Sequence, residues 1–154
     1  MAETTEQAQT IHGSCLCGTV KYHATREPIL RILCYCQNCR KFTGSLGMAN
    51  SIYRRENITI AQGHDTLRTY KDSATHNGST VERLFCGNCG SNLFCENKEK
   101  APDLFIVASG TMDLEAGQTW VPVVEFYCKD KRAWLDTNAE TKKYEELPKT
   151  FDNI

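Results

Sequence analysis

The chain has 154 residues, a formal net charge of −1, 40% apolar and 24% charged residues, and nine cysteines. That length is enough for one domain to bury its own core without disulfides. Near-neutral charge with no basic block excludes an electrostatic footprint for nucleic acid or anionic membrane, and no apolar run approaches the ~20 residues that cross a bilayer.

Residues 1–11 are polar and acidic, unlike an export signal, and read as a disordered leader; a cytoplasmic location is expected. Gly13 to His23 has strand chemistry, with apolar and polar residues alternating through Thr19-Val20-Lys21-Tyr22-His23. Pro28 punctuates, and Ile29 to Leu33 is a short apolar run. Arg40 to Ser45 reads as a turn or short helical segment, Met48 to Tyr53 as a strand, and Ile58–Ile60 and Thr66–Tyr70 as two more strands joined across Gly63-His64-Asp65. Asp72 to Ser79 is a polar loop. Val81–Phe85 and Ser91–Cys95 flank a tight glycine-containing turn, Leu104–Ala108 is the clearest buried strand, and Trp120–Cys128 is an edge or strand start marked by Pro122. From Asp136 onward the chain is polar, with Glu140 to Glu146 able to form a helical turn. The expected fold is mainly β, one domain over residues 12–135 with a polar tail at 136–154.

Seven of the nine cysteines fall in three tight clusters: Cys15 and Cys17; Cys34, Cys36 and Cys39; Cys86 and Cys89. An odd number of thiols in a reducing compartment argues against a disulfide framework, and C-x-C neighbours bridge badly. Zinc takes four ligands, so the two pairs suffice to close a structural site. If Cys15 and Cys17 lie on a regular strand, both point to one face. The trio has one ligand fewer. Cys34 and Cys36 would share a strand face, with Cys39 returning after a two-residue turn, leaving a coordination place for an incoming thiol held as thiolate. Alternatively Cys95, Cys128 or a histidine completes the trio as a second structural site. Cys95 and Cys128 sit in apolar runs, where cysteine commonly serves as a small buried hydrophobe. His12, His23, His64 and His76 are scattered and read as surface or satisfied residues.

The stretches Gly13-Ser14-Cys15-Leu16-Cys17-Gly18-Thr19-Val20-Lys21-Tyr22, Cys34-Tyr35-Cys36-Gln37-Asn38-Cys39-Arg40-Lys41-Phe42-Thr43-Gly44-Ser45 and Phe85-Cys86-Gly87-Asn88-Cys89-Gly90-Ser91-Asn92-Leu93 closely resemble the glutathione-dependent formaldehyde-activating enzyme family, which includes centromere protein V. The resemblance runs from about Gly13 to Leu135. It implies a β-tent fold of small packed antiparallel sheets, a structural zinc on Cys15, Cys17, Cys86 and Cys89, and a catalytic zinc on Cys34, Cys36 and Cys39. The second zinc is expected to be partly occupied. The implied reaction joins glutathione and formaldehyde as S-hydroxymethylglutathione, a carbon–sulfur lyase activity in reverse. Arg40, Lys41, Arg54 and Arg55 are candidates for glutathione carboxylates, with solvated surface charges as the alternative, and Thr43, Gly44 and Ser45 are candidate substrate contacts whose presence turn formation alone would also explain. Where relatives often carry histidine, this chain has Glu125, which suggests a changed substrate. Three readings follow: the formaldehyde reaction, the same zinc scaffold acting on another carbonyl or thioether metabolite, and a non-catalytic zinc interaction module. The expected partners are glutathione and a carbonyl compound, with no nucleic acid and no membrane; a homo-oligomer is compatible with the sequence.

Overall fold

The computed structural model describes residues 9–150. Along the chain run β1 (Thr10–Ser14), β2 (Lys21–Thr25), β3 (Leu30–Cys34), α1 (Gln37–Thr43), β4 (Met48–Arg54), β5 (Ile58–Gln62), β6 (Leu67–Asp72), β7 (Val81–Cys86), β8 (Asn92–Asn97), β9 (Ala101–Ala108), β10 (Met112–Asp113), β11 (Val124–Phe126) and β12 (Lys142–Lys143). They form a four-stranded sheet in the order β10-β1-β2-β5 and an eight-stranded sheet in the order β12-β11-β3-β4-β9-β8-β7-β6. Pairing is antiparallel except at β11, which runs parallel to both β3 and β12. The mainly β, single-domain reading holds.

Strand alternation gives the large sheet two different faces. On β4, Tyr53 turns toward the small sheet and joins the main core with Val20, Tyr22, Leu93, Phe94 and Phe105. Tyr22 meets Phe94 edge-on at 5.0 Å between ring centroids, a favoured aromatic geometry. Gly13 is required there, because a Cβ at that position would lie 2.2 Å from the Tyr22 ring. Met48 and Ile52 of the same strand join two smaller clusters that include the cysteine trio. α1 and the chain after β11 lie over that second face.

Two boundaries differ from the sequence reading. Most of the leader lies outside the described residues, but Thr10 and Ile11 already belong to β1, paired with Thr25 and Ala24. The tail also belongs to the fold as far as it is described. Lys142 N–H donates to Val123 O at 3.0 Å and Tyr144 N–H to Glu125 O at 3.0 Å, so this segment is a strand and not a helical turn. The physical reason is an open edge: β11 has unpaired backbone groups on one side, and pairing satisfies them.

Candidate metal centres

Cys15 and Cys17 occupy the turn between β1 and β2 and do not share a strand face as expected. The turn is closed by Gly18 N–H to Cys15 O at 2.9 Å, and Val20 N–H points at Cys15 Sγ from 3.2 Å. The turn between β7 and β8 repeats this design. Gly90 N–H donates to Cys86 O at 2.8 Å and Cys89 N–H faces Cys86 Sγ at 3.5 Å. The two turns meet through Leu16 N–H to Ser91 Oγ at 2.9 Å and Asn88 Nδ2 to Cys17 Sγ at 3.3 Å.

All four sulfurs then lie within 4.8 Å of one another. Cys15 and Cys17 Sγ are 3.5 Å apart, and Cys17 and Cys86 Sγ 3.8 Å. A tetrahedron with metal–sulfur bonds near 2.3 Å has edges of about 3.8 Å. The donor set therefore fits a four-thiolate metal ion. Cys17 is drawn down to about 5 by the Thr19 hydroxyl and then the Asn88 amide, and Cys89 to about 7 by Ser91. Both shifts favour thiolate, the form that binds metal.

The trio bridges two element types. Cys34 ends β3, Cys36 is the N-cap of α1, and Cys39 lies in its first turn. The expected strand-and-turn arrangement gives way to a strand-to-helix corner because the Cys36 sulfur accepts Cys39 N–H at 3.3 Å and so starts the helix. The three sulfurs lie within 4.8 Å of one another, and among the described residues no fourth cysteine, histidine or carboxylate joins the group. Hydrogen bonds from Cys34 and Cys39 push the Cys36 thiol down, while the bond to Cys36 pushes Cys34 up. Cys95 is buried on β8 with Arg83 Nη1 3.8 Å from its sulfur, and the Cys128 thiol turns to Glu125 O at 3.7 Å. Neither completes the trio.

Three side chains that sequence reasoning passed over support this corner. Asn38 Nδ2 donates to Asp72 at 2.9 and 3.1 Å, and Arg83 Nε donates to Asp72 Oδ2 at 2.8 Å. Arg83 is buried with its guanidinium over the Phe42 ring at 5.1 Å. The buried guanidinium acts electrostatically on Cys36 and Cys39 and offsets negative charge they would carry as thiolates. The available signal was an arginine in the otherwise strand-like Val81–Phe85.

Arg40 stands one residue beyond Cys39, with Nε donating to Tyr35 O at 3.0 Å. Thr43 returns its hydroxyl to Cys39 O at 2.8 Å, Gly44 caps α1 in the left-handed region at φ 62°, and Ser45 N–H donates to Arg40 O at 3.2 Å. These three sit at the opposite end of the helix from Cys36, roughly 12 Å along its axis at 1.5 Å per residue. Arg54 and Arg55 are farther away, six or seven positions along from Met48, and Arg55 is paired with Glu96. They line a surface hollow of about 540 Å³ with Glu56, Pro102 and Asp103, which includes no cysteine.

Glu125 is fully buried. Its carboxylate accepts from Tyr35 Oη at 2.7 Å, Lys131 Nζ at 2.9 Å and Thr137 Oγ1 at 3.1 Å, and also from the Thr141 hydroxyl. Those partners account for the acid as a clamp on the following segment. Two residues on, Tyr127 takes the left-handed backbone conformation (φ 58°, ψ 43°) and packs in the cluster that holds Cys34, with Cys36 and Cys39 against it. Its hydroxyl is 3.4 Å from His76 Nδ1, and the two rings meet edge-on at 5.6 Å.

The protein is a mainly β domain carrying one group of four convergent thiols and one of three, donor sets compatible with soft metal ions. Residues 10–130 match the family described as glutathione-dependent formaldehyde-activating enzyme, and the chain belongs to that family. An uncharacterized lyase of Schizosaccharomyces pombe is 30% identical over 82 residues, covering 53% of this chain and 54% of that protein. The chain thus spans about half the length of that relative. A Rhodobacter sphaeroides protein of known crystal structure shares the fold at a TM-score of 0.50 and 21% identity, covering 70% of this chain and 90% of that one.

Proposed function

We propose that the chain is a zinc-dependent carbon–sulfur lyase-type enzyme that forms and cleaves S-hydroxymethylglutathione from glutathione and formaldehyde. In this reading Cys15, Cys17, Cys86 and Cys89 hold a structural zinc, and Cys34, Cys36 and Cys39 hold a second one. The observation that carries it is the trio itself: three sulfurs converge and no fourth protein donor among the described residues joins them. Zinc held there would supply positive charge that favours an incoming thiol as thiolate. The chain's own residues bind and orient. α1 presents two of the three thiols, Arg83 offsets their charge, and we assign Arg40 to a glutathione carboxylate. Thr43, Gly44 and Ser45 serve substrate binding by shaping the end of α1, away from the reacting atoms. Holding thiol and carbonyl in register supplies most of the rate gain, since orientation alone is worth several kcal/mol.

The test combines metal content with turnover. Protein purified without added zinc should contain between about one and two equivalents, because a three-ligand site holds metal less tightly than a four-ligand one. The Cys36→Ser variant should keep its fold and about one equivalent. Formation of S-hydroxymethylglutathione by the wild type should exceed the uncatalysed blank, which is itself fast, and fall to that blank in Cys36→Ser. An unfolded Cys36→Ser protein would make the trio structural, and equal rates would remove the formaldehyde reaction.

A further inference from the structure

The geometry points to Tyr127 as a substrate-contacting residue whose hydroxyl donates a hydrogen bond to the carbonyl oxygen of the aldehyde, and so to the hydroxyl oxygen of the adduct. This deepens the proposed reaction at the trio and rests on it. The first observation is backbone strain. Tyr127 has φ 58°, and a bulky aromatic side chain in the left-handed region is an outlier. Such a conformation costs on the order of 1–3 kcal/mol and persists where the surroundings over-determine it.

The surroundings do so here from both sides. Glu125, two residues earlier, is fixed by its buried hydrogen bonds, and Tyr127 N–H donates to Glu146 O at 3.3 Å. Cys128 N–H reaches Tyr144 O at 3.0 Å, and Asp130 N–H closes the turn onto Tyr127 O at 2.9 Å. β11 reaches Tyr127 from one side and the segment around β12 holds it from the other. The result is an aromatic ring in the cluster that holds Cys34, and Cys36 and Cys39 pack against the same cluster.

The second observation is the company of its hydroxyl. Among the described residues the hydrogen-bond contact it makes is with His76 Nδ1, at 3.4 Å, beyond the usual length of a good hydrogen bond. His76 comes from the loop between β6 and β7, and its side chain is 55% exposed. The phenol thus lies between the thiol trio and a solvent-facing imidazole. Its weak contact leaves the hydroxyl proton available to a better acceptor. A phenol ordinarily ionises only near pH 10, so the hydroxyl is a donor at neutral pH.

The chemistry needs such a donor. As the thiolate sulfur attacks the aldehyde carbon, a C–S bond forms and the C=O π pair moves onto oxygen. That oxygen gains negative charge that a fixed O–H can stabilise. The thiol proton, given up to solvent, is balanced by a solvent proton that ends on this oxygen beside the exposed His76, giving a neutral hydroxymethyl thioether. The reverse reaction returns the same proton and expels the thiolate. Nothing is oxidised or reduced.

The test is Tyr127→Phe, which keeps the ring and its packing and removes the hydroxyl. Metal content, thermal midpoint and glutathione binding measured by calorimetry should match the wild type. The rate of S-hydroxymethylglutathione formation above the blank should fall about 10²-fold, the usual loss for a single donor to a developing oxyanion. KM for glutathione should not move. A variant with the wild-type rate overturns the role of Tyr127 and leaves the proposed reaction standing. A variant whose rate falls in proportion to lost metal or lost fold also overturns it, since the hydroxyl would then be structural. Wild-type protein that does not exceed the blank overturns the reaction and this role together.

Discussion

Glu125 illustrates how much one buried carboxylate can organise. Burial opposes its ionisation, yet donors from Thr141, Lys131 and Tyr35 prevail and hold it down to about 2. Such a group stabilises the fold at pH values above its ordinary 4.5, and the contribution is lost as pH falls from there toward 2. Glu125→Gln should therefore cost about 3 kcal/mol at neutral pH, because the partly buried Lys131 is left beside a neutral amide. Urea unfolding of both proteins with metal content monitored would show it. The gap between them should stay constant above pH 4.5 and close on acidification. A gap that does not depend on pH would mean that shape, not charge, is what the clamp requires. In the sequence, Glu125 stood out as an acid where relatives often carry histidine. That comparison does not reveal its donors, of which Thr137 and Thr141 come from a stretch that reads as a polar tail.

At the start of α1 the support comes from strands far away in sequence. Antiparallel pairing of β6 with β7 sets Asp72 opposite Val81 and Tyr70 opposite Arg83, so the two charged groups lie on one face within hydrogen-bond reach. Asn38 then links them to the helix. Arg83→Met alone leaves Asp72 as a buried charge without its cation, a loss of about 3–5 kcal/mol. The double variant Arg83→Met with Asp72→Asn should recover most of that stability while still binding metal at the trio more weakly than the wild type. Thermal melts and competition against a chelator would separate the two effects. If the double variant held metal as tightly as the wild type, charge compensation by Arg83 would have no part in the site. Cluster membership was legible because cysteine spacing is local. The strands were legible for the same reason: alternation and turn residues act over a few positions. The supporting charges were not, because a sequence does not display strand register. The helix at the trio was half legible, as Arg40 to Ser45 was read as helical or turn but its start at Cys36 depends on a sulfur acting as cap.

In the molecule as a whole, the four-cysteine group ties the turn after β1 in the small sheet to the turn after β7 in the large one. The two pairs are 68 residues apart in the chain, so bridging them closes a long loop. Structural zinc in small domains contributes on the order of 10 kcal/mol to folding. Cys86→Ser should accordingly abolish cooperative unfolding and scramble both sheets, whereas the trio variant keeps them. Circular dichroism before and after chelation of the wild type gives the same comparison without mutation. A Cys86→Ser protein that still melts in one sharp transition would show that the apolar core between the sheets suffices alone. The connection between small and large sheet was foreseeable from cysteine counting, whereas the parallel placement of β11 was not, since nothing local in Val124–Phe126 fixes which neighbour it joins.

The three thiols of the trio fall within six consecutive residues, while the other group needs partners from opposite halves of the chain. On the ribosome the trio is complete once Cys39 has emerged, 50 residues before Cys89. Under the proposed function, the weaker metal site would thus have all its protein donors first, and the tighter one would be complete only after the second half of the chain is made.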